Sequence, residues 1–229
     1  MSFTPDRSNS GKIEPFKLLQ ESFSQASPLY LSLVVIATPA LVISVLNGQN
    51  PLKPSIPLNL IYVFLVSPLI AGTGIYMIYR YLTIQTVDLA GAISSAVTKI
   101  GSLLLSFLAY LVILILSTCA LIIPGIFVGV KLGFCLYGVM VDDLDPIASL
   151  KQSWNLVTGR WWPTFGSMLL PVILILPLSF LAGILARVFG GGNAIGLSSI
   201  ISAALTLLIT PFITIYYVKI YLRLKELAE

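Results

Sequence analysis

The stretch Gly101–Ile123, with the sequence GSLLLSFLAYLVILILSTCALII, decides the class of fold. It contains no charged residue. A helix needs about 20 consecutive apolar residues to cross the hydrocarbon core of a bilayer, whereas the buried helices of soluble proteins carry shorter apolar runs. The stretch therefore predicts a transmembrane helix.

Five further apolar runs flank this one and predict, together with it, an all-α bundle of six transmembrane helices. They are about Pro28–Leu46, Leu58–Tyr79, Ile126–Val141, Trp162–Val188 and Ala194–Tyr221. Pro124-Gly125 predicts a tight turn before the fourth span, which is short and is expected to borrow residues from that turn. Gly190–Asn193 predicts a flexible turn before the sixth. We expect one polytopic membrane domain over residues 13–229, after a flexible tail over 1–12.

The composition excludes other classes of protein. Of the 229 residues, 57% are hydrophobic and 10% are charged, whereas soluble domains carry about 25% charged residues. A soluble enzyme, a nucleic-acid-binding protein and a disordered chain are thereby ruled out. The first 27 residues contain no apolar stretch, so no cleavable signal peptide is expected.

Lysine and arginine predict the orientation, because loops on the cytoplasmic side carry an excess of them. Ten of the 13 lie on the side that holds both termini. Lys53 and Arg187 lie on the opposite side, and Lys131 lies within a span. Both termini are therefore predicted to be cytoplasmic.

Three segments on that side share one pattern, in which an acidic residue precedes apolar residues spaced by three and four positions. They begin at Glu14-Pro15, at Asp145-Pro146 and, in a weaker copy, at Asp88. This spacing places the apolar side chains on one face of a helix, and aspartate followed by proline is a favourable helix start. We predict three interfacial amphipathic helices, each leading into a transmembrane hairpin, in repeat units of about 13–82, 87–143 and 144–229.

The copy after Asp145 has the strongest pattern. Its predicted apolar face, set against the bilayer or the bundle, holds Ile147, Leu150, Trp154 and Val157, while Lys151, Gln152 and Asn155 point to the cytoplasm. Ser153 aligns with Ser22 of the first copy. The helix is expected either to cap the bundle or to dock a partner through its polar face.

Lys131 is the one ionisable residue well inside a predicted span. A lysine at the bilayer centre costs about 2.5–3.5 kcal/mol on insertion scales. Two alternatives remain open for it. Its side chain snorkels to the headgroups or packs between helices, or it forms a polar site that binds a ligand or a lipid headgroup.

No catalytic residue, metal site or cofactor is predicted. The chain lacks histidine, the commonest general base and metal ligand. The acidic cluster Asp142, Asp143 and Asp145 is attributed to helix capping and solvation rather than to Mg²⁺ binding. Cys119 and Cys135 lie in apolar runs and are expected to be inert.

The stretch from about Leu121 to Gly166 resembles a group of multi-pass bacterial membrane proteins. The residues that carry the resemblance are Ile123-Pro124-Gly125-Ile126, Lys131, Asp142-Asp143 and the segment Pro146–Trp154. The group includes the membrane domain of some glycerophosphoryl diester phosphodiesterases and stand-alone relatives of unknown function. The resemblance implies a six-helix bundle in a bacterial cytoplasmic-type membrane. It does not imply phosphodiesterase activity, which belongs to a separate soluble domain.

Three hypotheses of function follow. The leading one is a non-enzymatic integral membrane protein that organises the membrane or assembles a membrane complex. Its partners would be membrane lipids and either another membrane protein or a cytoplasmic protein, and not nucleic acid. A small transporter or lipid-handling protein with a cavity near Lys131 is the second, and a membrane enzyme acting on lipid phosphates is the third.

Overall fold

A computed structural model of the chain describes residues 13–49, 56–190 and 194–228. Over these ranges every regular element is a helix, and no strand is present. The all-α prediction is therefore confirmed. The predicted tail over residues 1–12, the loop around Lys53 and the turn after Gly190 lie outside the described residues.

The helices follow one another with short connections. In chain order they are α1 (Pro15–Gln25), α2 (Tyr30–Gln49), α3 (Ile56–Ile61), α4 (Ser67–Ile84), α5 (Leu89–Thr98), α6 (Ile100–Ala120), α7 (Ile122–Leu132), α8 (Cys135–Val141), α9 (Pro146–Val157), α10 (Trp161–Gly190) and α11 (Ala194–Glu226). A single π-turn, Tyr62–Val66, joins α3 to α4 ahead of Pro68, because proline cannot donate the backbone hydrogen bond that would continue the helix.

Four stretches among the described residues are long and apolar enough to cross a membrane. They are Asn59–Ile84, Ile100–Ala120, Ile122–Val141 and Trp161–Leu185. Large apolar side chains on α6 and α10, such as Leu116 and Phe180, are exposed, as expected for helices surrounded by lipid. The first predicted span lies in α2 from Tyr30 onward, and the sixth lies within α11.

The buried core lies towards the end of the bundle that carries α5 and α9. The C-terminal half of α11 is its centre and packs against α1, α2, α4, α9 and α10. Tyr216, Ile220 and Tyr221 of α11 are fully buried there, together with Ile78 of α4 and Phe134. These contacts fix the positions of the short helices relative to the long ones.

The turn between the third and fourth spans differs from the prediction. The chain breaks at Leu121, which has an extended backbone (φ −164°), and α7 already begins at Ile122, so Pro124 and Gly125 lie in its first turn. Proline is tolerated there because the amides of a first helical turn have no intrahelical acceptor. Gly125 is required by close packing, since a Cβ on it would lie 2.3 Å from Oγ1 of Thr118 on α6.

All three short helices start directly after the predicted acidic residue, and two of them are capped by its side chain. The Asp145 carboxylate accepts a hydrogen bond from the Ala148 amide at 2.8 Å, and Asp88 does the same for Gly91 at 2.8 Å. Glu14 precedes α1 without such a bond, because the longer glutamate side chain is a poorer cap than aspartate.

Candidate functional site

The fourth span is interrupted next to Lys131. Helix α7 ends at Leu132 and α8 begins at Cys135, so two backbone groups lose their regular helical partners. The Ser153 hydroxyl of α9 replaces both partners. It donates to the Lys131 carbonyl at 2.8 Å and accepts from the Phe134 amide at 3.1 Å. A side chain of the short helix α9 thereby completes the backbone hydrogen bonding of a membrane-spanning segment.

The Lys131 side chain reaches the other end of α9. Its ammonium donates to the Thr158 hydroxyl at 2.5 Å, and Thr158 in turn donates to the Trp154 carbonyl at 2.7 Å. The ammonium also lies 4.9 Å from the ring centroid of Trp154 and 5.6 Å from that of Phe127, within range of cation–π attraction.

These contacts leave Lys131 only 5% exposed. No carboxylate of the described residues lies within ion-pair distance of it. The hydroxyl and the two aromatic faces therefore take the place of a counter-ion. This geometry favours packing between α7 and α9, and headgroup binding by Lys131 stays a prediction.

Of the predicted apolar face of α9, Val157 is fully buried against the bundle. Ser149, Ser153, Leu156 and Val157 are buried, whereas Ile147 is 66% and Trp154 39% exposed. Ser149 and Ser153 fit because small side chains allow close approach, and Gly138 of α8 gives the room: a Cβ there would lie 3.2 Å from that of Ser149. Leu150 is half-buried and Lys151 is exposed.

Asp142 follows α8 and forms the centre of a polar cluster that the sequence did not predict. Its carboxylate accepts hydrogen bonds from the Gln152 amide at 2.6 Å, from the Tyr221 hydroxyl at 2.5 Å and from the Lys225 ammonium at 2.5 Å. Gln152, which is predicted to point to the cytoplasm, is half-buried and turns its side chain to this carboxylate. The cluster connects α8, α9 and α11.

Burial by itself would raise the pKa of the Asp142 carboxyl. The hydrogen bonds from Lys225, Tyr221 and Gln152 outweigh burial and hold that pKa below its ordinary value of 3.8. Asp142 is therefore ionised and paired at neutral pH, and its role is to join three helices rather than to cap one. The available signal was indirect: Tyr221 and Lys225 lie one helical turn apart at the end of α11, on the same predicted side as Asp142.

Further ion pairs lie at this end of the bundle. Lys219 of α11 pairs with Glu21 of α1 at 3.2 Å, and Lys99 pairs with Asp143 at 2.7 Å. Each joins segments that are distant in sequence. Charged groups from all three predicted units therefore meet on one face of the molecule.

Cavities lie between the spanning helices of the described part of the chain, and polar groups line parts of them. A groove of about 400 Å³ runs between α6, α7 and α10 and is lined mainly by apolar residues, with Tyr110 and Thr118 on its α6 side. A cavity of about 320 Å³ lies between α2, α4, α8 and α11 and is lined by several hydroxyl-bearing residues, among them Tyr62, Ser67, Tyr137 and Thr214. Lys131 lines neither of them.

Metal-binding chemistry finds no support in the part of the chain that the structure describes, where no three histidine, cysteine or acidic side chains are grouped to hold an ion. Cys119 and Cys135 are both free thiols.

The structure has the features of an integral membrane protein: long apolar helices, apolar side chains that face outward, and charged groups at one end. The chain belongs to the family described as a domain of unknown function (DUF7847), whose model matches residues 55–224. That range includes the α7–α8 break, α9 and the Asp142 cluster. No curated protein and no solved structure matches the chain.

Proposed function

We propose that the protein is a non-enzymatic integral membrane protein that organises the membrane or assembles a membrane complex. In this proposal it crosses a bacterial cytoplasmic-type membrane six times, with both termini in the cytoplasm. The order of short helix, span and span, which occurs three times along the chain, supports three repeat units. The resemblance to the membrane domain of glycerophosphoryl diester phosphodiesterases is part of the proposal.

The observation that carries the proposal is the way α9 is held. Ser153, Thr158 and Gln152 fasten one side of the helix to Lys131, Phe134 and Asp142. Its other side leaves Ile147, Lys151 and Asn155 exposed. A helix that is rigidly fixed on one face and accessible on the other is suited to present a contact surface to a partner.

Two kinds of partner fit this exposed side. Ile147 and the exposed part of Trp154 suit membrane lipids, since tryptophan prefers the membrane–water interface. Lys151 and Asn155 suit a protein partner, in the cytoplasm or in the membrane, with acidic or hydrogen-bonding groups.

Photo-crosslinking in native membranes tests this proposal. A benzoylphenylalanine at position 151 is expected to capture a defined partner protein, whereas the same group at position 86, in the exposed loop before α5, is not. Lys151→Glu in full-length protein carrying the crosslinker at position 155 should remove that product without lowering the amount of folded protein. Identical products from positions 151 and 86, or an unchanged product in the Lys151→Glu protein, would contradict the proposal.

A transporter or lipid-handling protein is the second candidate, favoured by the hydroxyl-lined cavity between α2, α4, α8 and α11. Lys131 plays no part in this version. Vesicles containing the purified protein should show no lipid scrambling or solute flux under the leading proposal. An activity abolished by Thr214→Leu, which fills the cavity, would replace the leading proposal with this one.

A further inference from the structure

Arg80 lies near the end of α4, close to the surface that carries α5. Its side chain folds over Tyr76, one helical turn earlier. The guanidinium carbon lies 5.8 Å from the centroid of the tyrosine ring, and Nη1 donates to the tyrosine hydroxyl at 3.3 Å. The guanidinium is thereby held in one place although the residue is only half-buried.

The charge of Arg80 is not compensated by the described residues. Lys99, Lys219, Arg223 and Lys225 each form an ion pair with an aspartate or glutamate, but no described carboxylate lies within ion-pair distance of Arg80. Arg223 is the matching residue in the sixth predicted span, because it follows Thr210-Pro211 at the same interval at which Arg80 follows Ser67-Pro68. Arg223 pairs with Glu226 at 2.8 Å, and the residue three positions after Arg80 is Thr83.

One donor of this guanidinium is also left without an acceptor. Among the buried side-chain nitrogen and oxygen atoms of the described ranges, only Nε of Arg80 has no hydrogen-bond partner. A buried donor without an acceptor is unfavourable, and more so when the group is charged. Arginine does not lose its proton in proteins, so the fold holds a permanent and incompletely satisfied cation at this position.

The surroundings suit an oxyanion. Ser95 of α5 lies near the Tyr76 hydroxyl, and α5 packs against α4. Phosphate oxygens are recognised by guanidinium and hydroxyl groups of this kind.

We propose that Arg80, with the hydroxyl groups of Tyr76 and Ser95, forms a binding site for phosphate oxygens, supplied either by a phospholipid headgroup of the adjacent leaflet or by free phosphate. The site is separate from Lys131 and α9, and it does not depend on the scaffold proposal.

Thermal unfolding of the detergent-solubilised full-length protein tests the site. Three probes are titrated at constant ionic strength: dihexanoyl phosphatidylglycerol, dihexanoyl phosphatidylcholine and inorganic phosphate. A rise in the midpoint with the phospholipids alone identifies a headgroup as the ligand. A rise with inorganic phosphate at similar concentration identifies free phosphate. If none of the probes raises the midpoint, the proposal is wrong.

Three variants make the test specific. Arg80→Gln should raise the half-saturating concentration about tenfold, as expected for loss of a charge-assisted hydrogen bond. Arg80→Lys keeps the charge but loses the planar guanidinium and should raise the half-saturating concentration by less. If the Arg80→Gln protein does not fold, the Arg80→Lys protein is tested alone. An unchanged half-saturating concentration in the Arg80→Lys protein would then contradict the proposal. Arg223→Gln makes the same charge change at the matching position and should bind as wild type does. Equal losses in the Arg80→Gln and Arg223→Gln proteins would show general attraction by surface charge and overturn the proposal.

Discussion

At the scale of single residues, Lys131 illustrates how a bundle accommodates a buried cation without an acidic partner. Its ammonium has one hydroxyl acceptor and two aromatic faces. The Thr158 hydroxyl that accepts from it keeps its own bond to the Trp154 carbonyl. Removing the ammonium would therefore leave no buried group unsatisfied, and this distinguishes Lys131 from one member of a buried ion pair.

Lys131→Met should consequently change the free energy of unfolding in detergent by no more than about 1 kcal/mol, because methionine fills similar space and no charge is left uncompensated. Lys131→Glu should cost about 3–5 kcal/mol, since it places a buried carboxylate against the negative faces of two rings. The measurement is the thermal or denaturant midpoint of both proteins. Lys151→Glu on the exposed side of α9 is the control and should stay within about 0.5 kcal/mol of wild type. A Lys131→Met protein as unstable as Lys131→Glu would mean that the charge itself is needed.

At the scale of elements, Asp142 holds α8, α9 and α11 together, and this connection should depend on pH. Because the pKa of Asp142 is lower in the folded protein than its ordinary value, the unfolded chain binds the proton more readily. The stabilisation is therefore complete above about pH 4 and is lost as the pH falls through the folded-state value.

We expect Asp142→Asn to lower stability by about 1–3 kcal/mol at neutral pH, since Lys225 loses its counter-ion and a charged acceptor is replaced by a neutral one. The difference from wild type should shrink as the pH is lowered below about 4. Asp143→Asn is the matched control, because Asp143 is largely exposed and asparagine tolerates its positive φ of 56°. The control should change stability by less than about 1 kcal/mol. Equal losses in the two proteins, or a difference independent of pH, would contradict the assigned role.

The elements also show what the sequence could and could not predict. The long helices were predictable because the thickness of the bilayer sets the length of an apolar run, and the start of α9 was predictable because Asp145 caps it locally. The buried face of α9 was not. The pattern placed Ile147, Leu150, Trp154 and Val157 on a face set against the bilayer or the bundle. It did not show that Ser149 and Ser153 pack on the bundle, because within a membrane protein small residues pack closely while large apolar ones face lipid.

The Asp142 cluster was missed for a related reason. Its partners on α11, Tyr221 and Lys225, lie 79 and 83 positions away along the chain. No local pattern connects such residues. Their shared place at one end of two spans becomes informative only once the packing of α8 against α9 and α11 is known.

At the scale of the whole molecule, the charged end defined by α1, α5 and α9 implies an orientation. The pairs Glu21–Lys219, Lys99–Asp143 and Asp142–Lys225 all lie at that end, and such groups belong in the headgroup region or in water rather than in hydrocarbon. Since this end also carries most of the lysine and arginine residues, the charge rule predicts that it lies on the cytoplasmic side.

Reporter fusions test this orientation. Alkaline phosphatase is active outside the cytoplasm, whereas a green fluorescent protein is fluorescent inside it. Fusions at residue 1, after Ala90 and at Glu229 should fluoresce, whereas fusions near Lys53 and Asn193 should show phosphatase activity. The two fusions at residue 1 and Glu229 show whether the termini lie on the same side of the membrane. They therefore test whether the number of spans is even, separately from the orientation. Termini on opposite sides would require an odd number of spans and would remove the three-unit repeat. Termini that are both outside would keep an even number but reverse the orientation, and would place Arg80 and its proposed phosphate site in the outer leaflet.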